Sequence, residues 1–219
     1  MVYALGSVKN PLYRIKTYET VEEWKDDGGE GKIVFETDEI TDVSNFRICG
    51  KLIFCSPGLD IPEGITSIGR EVFINEEQDI FDAWEIDTVN IPASVQTIEE
   101  GAFVGTEISA INIHPDSPCG IVKNNGLYTR DEKTLLFILG YTDESEAIYV
   151  VPEGVTRIAL GAFTGYSLIL DCPDSVTEIG YDAEVDSLFN GLTVRAEEDS
   201  FATRFMRELI EKHRKKEAL

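Results

Sequence analysis

The chain of 219 residues is poor in the side chains on which most catalysis and metal binding depend. It contains only two histidines, and its four cysteines show no paired C-x-x-C spacing. Zinc sites of the common type and a dense disulfide framework are therefore not expected, although Cys49 and Cys55 are close enough in sequence to pair. The G-x-S-x-G, H-E-x-x-H, P-loop and dinucleotide-binding patterns are also missing. These absences argue against the common hydrolases, metalloproteases and nucleotide-binding enzymes, and no cofactor is predicted.

Long apolar runs and basic residues are scarce as well. No apolar stretch approaches the roughly 18 residues of a membrane-spanning helix, so a membrane span is not expected. There are 41 acidic residues against 19 basic ones, which gives a formal charge of −22. Because such a surface repels phosphate backbones, nucleic acid is a poor candidate partner. The basic residues are concentrated in 204–216, near the end of the chain.

The sequence does contain a segment of similar residues that recurs four times. The copies are LDIPEGITSIGREVF at 59–73, VNIPASVQTIEEGAF at 89–103, YVVPEGVTRIALGAF at 149–163 and LDCPDSVTEIGYDA at 170–183. In two degenerate copies, His114 and Arg195 take the position of the recurring proline. The shorter intervals are about 22 residues, within the range of leucine-rich repeats, so the pattern predicts six stacked rungs of one elongated solenoid.

Each copy predicts the same local structure. Apolar residues three and one before the proline alternate with an outward residue, as in a short strand with one buried face. Proline ends the strand because it has no N–H to donate, and it suits the second position of a type I turn. Apolar residues at identical offsets follow and end in Phe73, Phe103 or Phe163, which predicts that equivalent side chains stack in one continuous core. Phe103→Ala is expected to cost roughly 3 to 5 kcal/mol.

The predicted fold is mainly β with short helical turns. It is a right-handed leucine-rich-repeat solenoid with short parallel strands, an inserted β-hairpin and a C-terminal capping helix. The hairpin is predicted from apolar runs at 127–129 and 134–138, and it is expected to project from one rung. The predicted organisation is a degenerate N-terminal cap at 1–57, repeats at 58–198 with insertions at about 74–88 and 120–145, and a capping helix with a basic tail at 199–219.

Capping signals support both ends of this arrangement. Thr20 and Glu23 form the pattern of a capping box for a brief helix through Trp24. Short strands are predicted at 32–35, 46–49 and 51–55. At the far end, apolar residues from Phe201 to Ile210 recur at helical spacing after a candidate N-cap, Asp199 or Ser200.

Taken together, these motifs resemble the BspA-like, bacterial surface-antigen class of leucine-rich repeat proteins. The resemblance covers roughly residues 46 to 210. It rests on I-P-x-G-V-T-x-I-x-x-G-A-F, as at 151–163, on the N-G-L-Y-T-x-D-x-K-T-L hairpin, and on A-E-E-D-S-F-A at 196–202. It implies a curved coil and a general role in protein recognition, commonly adhesion. Members are usually exported, so a cell-surface or secreted location is expected if a leader was removed, and a cytoplasmic one if Met1 is the native start.

The outward residues of the strands are the predicted binding surface for another protein, of unknown identity. Equivalent residues of neighbouring strands lie about 4.8 Å apart, so they form a column. Polar residues dominate it, although any solvated sheet face would also be polar. The predicted column is Asp60, Asn90, Asn112, Val150, Asp171 and Thr193, with His114 at its rim and Trp84 in the acidic insertion beside it.

Other functions are weaker alternatives. An exposed Trp84 would suit a glycan-binding module, and the clustered acids at 76–87 and 182–186 would suit a weak Ca²⁺ site in a structural module, although the EF-hand pattern is absent. A Cys-His dyad of Cys119 and His114 is the enzyme reading, but the intervening HPDSPC segment is more typical of a turn. The favoured prediction is a non-enzymatic protein-interaction module.

Overall fold

The computed structural model describes residues 1–5, 15–28, 33–37, 50–56, 60–73, 84–140, 147–163, 168–181 and 192–217. The described helices are α1 (Val21–Asp26) and α2 (Phe201–Glu217). The strands that precede the inserted segment are β1 (Val2–Leu5), β2 (Ile15–Tyr18), β3 (Ile33–Glu36), β4 (Gly50–Cys55), β5 (Ile65–Ile68), β6 (Trp84–Ile91), β7 (Thr97–Ile98) and β8 (Thr106–Ile113). They are followed by β9 (Ile121–Lys123), β10 (Gly126–Tyr128), β11 (Thr134–Ile138), β12 (Ala147–Val150), β13 (Arg157–Ile158), β14 (Leu168–Asp171), β15 (Glu178–Ile179) and β16 (Thr193–Arg195).

The strands form two rows of parallel pairs, as a solenoid requires. The outer row comprises β6–β8 and β12–β14–β16, whose strands end just before or at the turn position of each repeat. The second row comprises β4–β5–β7 and β11–β13–β15. Five of the six predicted copies have an outer-row strand, whereas Asp60 and Ile61 of the first copy are not in one. These stacked parallel strands confirm the predicted solenoid.

A turn with the same hydrogen bond follows the strand position in five copies. In each, an N–H three residues on donates to the carbonyl of the residue at the proline position; the pairs are Ile65–Pro62, Val95–Pro92, Ser117–His114, Val155–Pro152 and Val176–Pro173. The prediction of proline as the second turn residue is therefore wrong by one position, because proline is the first. Gly64 and Gly154 take the third position with φ of 101° and 88°, as type II turns require.

Serine at that third position joins neighbouring turns. The Gly64 N–H donates to Ser94 Oγ of the next rung at 2.9 Å, and the Gly154 N–H donates to Ser175 Oγ at 3.1 Å. The Ser175 hydroxyl in turn donates to the Val155 carbonyl at 2.7 Å. Glycine and serine therefore alternate between these rungs because the glycine N–H of one turn needs the hydroxyl of the next.

Apolar side chains stack along the second row. Leu52, Ile68, Ile98, Leu135, Ile158 and Ile179 occupy matching positions in successive parallel pairs. Backbone bonds continue the register beyond each strand, for example from the Gly69 N–H to the Leu52 carbonyl at 2.9 Å and from the Ala159 N–H to the Leu135 carbonyl at 2.8 Å. The predicted stacking of equivalent apolar residues is correct for this row, and of these six positions only Leu52 and Leu135 were predicted to lie in strands.

The core, however, is not one continuous stack. Phe73 and Phe103 stack with their ring centroids 6.1 Å apart, as predicted. The next ring against Phe103 is Phe137 of the hairpin, at 5.4 Å, and Phe163 belongs to a second cluster of buried residues. The prediction of a single stack through Phe163 is therefore wrong, because the inserted hairpin contributes its own phenylalanine between the two cores.

The inserted segment contains the predicted hairpin as β10–β11, and β9 adds a third antiparallel strand. Leu127 and Phe137 face the first core, whereas Tyr128, Leu135 and Ile138 face the second. Because β11 also pairs in parallel with β13, the segment completes the third rung. The expectation that the hairpin projects is wrong, since both faces of β10 and β11 are buried.

The N-terminal strands extend the first sheet in the order β2-β1-β3-β4-β5-β7. One face contributes Phe35 and Leu52 to the first core, and the other packs Val34 and Phe54 against Trp24 of α1. Thr20 is the N-cap of α1, since its Oγ1 accepts from the Glu23 N–H at 3.1 Å, and the Glu23 carboxylate accepts from the Glu19 N–H at 2.9 Å, one residue before the donor of a capping box. Residues 46–49, predicted as a strand, lie outside the described residues, and the domain boundaries remain a prediction.

Helix α2 packs on the last rungs. Ser200 is its N-cap, because its Oγ accepts from the Thr203 N–H at 3.2 Å. Ala202 and Leu209 are buried in the second core, and Phe205 and Met206 pack against it. Lys212 Nζ donates to the Tyr181 hydroxyl at 2.9 Å and lies 4.4 Å from that ring, which ties the charged part of the helix to the coil.

Candidate functional site

The outer row of strands displays the predicted binding residues in two groups. Asn90 of β6 lies beside Asn112 of β8, and Val150 of β12 lies beside Asp171 of β14. The two groups belong to separate sheets, since β6–β8 and β12–β14–β16 are not paired with each other among the described strands. The predicted column is therefore interrupted between its third and fourth members.

The first group is a ladder of side-chain hydrogen bonds. Asn112 Nδ2 donates to Asn90 Oδ1 at 3.0 Å, and Asn90 Nδ2 donates to Asp60 Oδ1 at 2.8 Å. All three side chains are exposed. Because each amide is held by its neighbour, their orientation is set before any partner arrives, which reduces the entropy that binding must pay.

The last member of the column is displaced. The register of β14 and β16 pairs Thr193 with Ile169 and Arg195 with Asp171. Thr193 is therefore two residues out of line with the column, and Arg195 takes the position beside Asp171. The degenerate sixth copy has no proline to align on, so Thr193 was assigned to the column in place of Arg195.

An apolar cleft lies beside the second group, and the sequence analysis did not predict it. Its volume is about 440 Å³, and its lining residues are Asn124, Asn125, Ile148, Tyr149, Val150 and Pro152. Asn124 and Asn125 have φ of 48° and 55°, as the two central residues of a type I′ turn between β9 and β10 require. The N-N-G segment is a signal for that turn, but nothing in the sequence indicates that the turn lies against β12.

The two remaining predicted site residues, Trp84 and His114, belong to elements other than those that line the cleft. Trp84 is the first residue of β6 and pairs in register with Thr106, and its side chain lies outside the described part of the structure. His114 is exposed, and its Nδ1 accepts from the Asp116 N–H at 3.2 Å. His114 thus caps its own turn at the rim of the Asn ladder.

The arrangement around Cys119 does not resemble a Cys-His dyad. Cys119 is buried, and its Sγ accepts from the Ser117 hydroxyl at 3.1 Å, while that hydroxyl also contacts the Val95 carbonyl at 2.6 Å. Burial raises the pKa of the Cys119 thiol. A thiol held in its neutral form is a poor nucleophile, so this residue has the environment of a structural cysteine.

Metal and disulfide predictions fall mainly outside the described residues. The acids at 76–83 and 182–186 and the thiol of Cys49 are not described, so the predicted Ca²⁺ loops and the Cys49–Cys55 pair stay predictions. Among the residues that the structure does describe, no group of three or more His, Cys, Asp or Glu side chains is arranged to hold a metal ion. Within the same residues, neither helix has the length and apolarity needed to span a bilayer.

Comparison with known proteins matches part of the repeat region to a family. The family described as "BspA type Leucine rich repeat region (6 copies)" matches residues 55–119. No curated protein matches the chain.

Three solved structures are similar over part of their length. A leucine-rich repeat protein from Eubacterium ventriosum is 18% identical over 64% of this chain and 42% of its own, with a TM-score of 0.42. The pneumococcal vaccine antigen PcpA is 16% identical over 57% of this chain and 35% of its own, at 0.43. A leucine-rich cell surface protein from Faecalibacterium prausnitzii is 28% identical over 55% and 36%, at 0.36. The chain spans less than half the length of each of these proteins. The family match covers residues 55–119, less than half of the chain, and identifies that segment as similar to BspA-type leucine-rich repeats.

Proposed function

We propose that the chain is a non-enzymatic protein-interaction module that binds a partner protein through the outer row of its strands, in an adhesion-related role. The observation that carries the proposal is the ordered outer face, where Asp60, Asn90 and Asn112 are linked by hydrogen bonds on adjacent rungs. Interaction through repeats is the common role of leucine-rich repeat proteins, and the repeat family match supports it. Rigid-surface recognition of this kind needs little conformational change on binding.

A pair of arginine substitutions on the face tests this function. Asn90→Arg/Asp171→Arg places two long cations on the outer row, and capture of partner proteins should fall at least tenfold. Partners captured from cell extracts by the wild-type chain would be quantified by mass spectrometry. Gln96→Arg/Glu198→Arg is the matched control, because both residues are exposed away from the outer row and the total charge change is the same. Equal capture by the column variant and the wild type would contradict the proposed face.

The location and the absence of catalysis belong to the same proposal. A partner-binding surface repeat would act at the cell surface or after secretion, and a leader in the genomic reading frame upstream of Met1 would support that location. A hydrolase activity that depended on Cys119 or His114 would contradict the non-enzymatic assignment. Binding on a glycan array that depended on Trp84 would favour the glycan-binding alternative instead.

A further inference from the structure

The outward residues of the outer row change from polar to apolar where the column is interrupted. On β6 and β8 its outward residues Asn90 and Asn112 are polar, whereas on β12 they are Ile148 and Val150, which are 50% and 63% exposed. Val150 is the most exposed large apolar side chain that the structure describes. A solvated sheet face needs polar residues there, so two adjacent exposed branched side chains on a strongly acidic protein indicate a contact surface.

These side chains contribute little to the fold. The buried side of β12 is supplied by Tyr149, which is 3% exposed, and by Val151 beyond the strand, at 2%. Tyr149 packs in the second core, where its hydroxyl lies 2.5 Å from that of Tyr128. Ile148 and Val150 point the opposite way, into the open cleft, and can therefore be available for an interaction without loss of the core.

The lining of the cleft suits a peptide better than a sugar. Its floor is apolar, and its one aromatic lining residue, Tyr149, is buried and so offers no ring face for stacking. Its rim carries the carboxamides of Asn124 and Asn125 on a two-residue turn whose positive φ angles fix its shape. A carboxamide offers both donors and an acceptor, the set that the backbone of an extended peptide needs. The volume of about 440 Å³ accommodates a few side chains.

The charges around the cleft determine which residues should flank the apolar side chain of the peptide. Asp171 lies beside Val150 on the next strand, and Glu153 follows Pro152; both are exposed. Lys123, which precedes the carboxamide turn, is already paired with Glu132. Arg195 is one strand further away, beside Asp171. With a formal charge of −22 on the chain, basic residues on a partner are attracted to this region.

We propose that the cleft between β12 and the β9–β10 turn binds an extended segment of a partner protein in which a branched apolar side chain is flanked by Lys or Arg. The apolar side chain would lie on Ile148 and Val150, and the two asparagines would hydrogen-bond the peptide backbone. This inference rests on the proposed protein-binding function and names the anchor of that site.

Selection from a phage-displayed library of random 12-residue peptides on the full chain tests the inference. Enriched peptides should carry Leu, Ile or Val next to Lys or Arg. Their affinity, measured by fluorescence polarisation, should fall at least tenfold with Ile148→Ser/Val150→Ser and several-fold with Asn124→Gly/Asn125→Gly, which keeps the turn. Val122→Ser, at an exposed apolar position outside the cleft lining, is the matched control and should bind like the wild type. Far-UV circular dichroism verifies that each variant is folded.

Three results would overturn the inference: no enrichment, enrichment of peptides without the apolar and basic pattern, or equal binding by Ile148→Ser/Val150→Ser. Failure of the general function is distinguishable from these. If Asn90→Arg abolishes capture of whole partner proteins while Ile148→Ser/Val150→Ser does not, the outer face binds partners but the cleft is not the anchor. If neither substitution changes capture, both the function and the anchor are contradicted.

Discussion

Two strands, β4 and β11, pair with their neighbours in the same way, but different elements bury their outer faces. Each is antiparallel to the strand on one side, β3 or β10, and parallel to the next rung, β5 or β13. Their backbone bonds match, since the Cys55 N–H donates to the Val72 carbonyl and the Ile138 N–H to the Ala162 carbonyl, both at 2.7 Å. By this register, Phe54 of β4 and Phe137 of β11 are equivalent residues.

The two phenylalanines are buried by unrelated partners. Phe54 lies 6.2 Å from the ring of Trp24 in α1, in a small satellite cluster. Phe137 lies 5.4 Å from Phe103 of the preceding rung, inside the first core. A strand that joins an antiparallel pair to a parallel coil has two faces to bury, and either a helix or another rung can cover the second one. The comparison shows that β11 is a shared wall between two cores, whereas β4 is the end of one.

The largest expected effect separates these two roles. Phe137→Ala should lower the free energy of unfolding by about 3–5 kcal/mol, and Phe54→Ala should cost less, because a site at the end of the coil relaxes more easily than one between two cores. Urea unfolding followed by circular dichroism measures both. A larger cost for Phe54→Ala would break the comparison.

Thiol protection should show where each substitution opens the protein. Cys55 lies in the first core and Cys172 in the second, and both are buried. Phe137→Ala should raise the alkylation rates of both thiols at least tenfold at pH 8, whereas Phe54→Ala should affect Cys55 and leave Cys172 unchanged. Mass spectrometry of iodoacetamide-treated protein reads each site separately. Equal exposure of Cys172 in the two variants would show that the second core does not depend on β11.

Alkaline pH should destabilise both cores. Burial raises the pKa of the Cys55 and Cys172 thiols to about 12, and the carboxylates of Asp60 and Asp171 add to the two shifts. The unfolded chain then releases these protons at lower pH than the folded one, so stability is complete below about pH 9 and is lost as the pH rises toward 12. Urea midpoints at pH 8 and 10.5 should therefore differ, and the difference should shrink in Cys172→Ala. An unchanged difference would contradict the burial of that thiol.

The smallest expected effect concerns an ion-pair ladder across the wall. Arg157 contacts Glu100 of the second rung through two hydrogen bonds and Glu178 of the fifth at 2.8 Å. Arg157→Gln should cost about 1 kcal/mol, since the pair is only partly buried. The more exposed Lys51–Glu99 pair provides the comparison, and Lys51→Gln should cost less. Thermal unfolding measures both, and a larger cost for Lys51→Gln than for Arg157→Gln would contradict the assignment.

Much of the fold was predictable from the sequence because the repeat constrains it. The recurring prolines and the Gly–Ser alternation indicate a turn that repeats from rung to rung. The equal offsets of Ile68 and Ile98 indicate that these side chains stack. Of the second-row strands, β4 and β11 were predicted. The others were missed because β7, β13 and β15 are only two residues long, and two residues carry no alternating pattern.

The site was less predictable, because it depends on which element lies beside which. Nothing local indicates that Phe137 lies against Phe103, or that the turn at Asn124 and Asn125 borders β12. Val150 was predicted as an outward residue from its place in the copy, but Ile148 was not recognised as its apolar neighbour. The missing proline in the sixth copy led to the choice of Thr193 in place of Arg195.

A double-mutant cycle between Phe103 and Phe137 tests most directly the claim that β11 is a wall shared by the two cores. Phe103→Ala, Phe137→Ala and the double variant would be unfolded in urea under identical conditions. Direct ring contact predicts a coupling energy of about 0.5–1.5 kcal/mol. Costs that add to within about 0.3 kcal/mol would show that the two rings do not touch, and the wall would then be wrong.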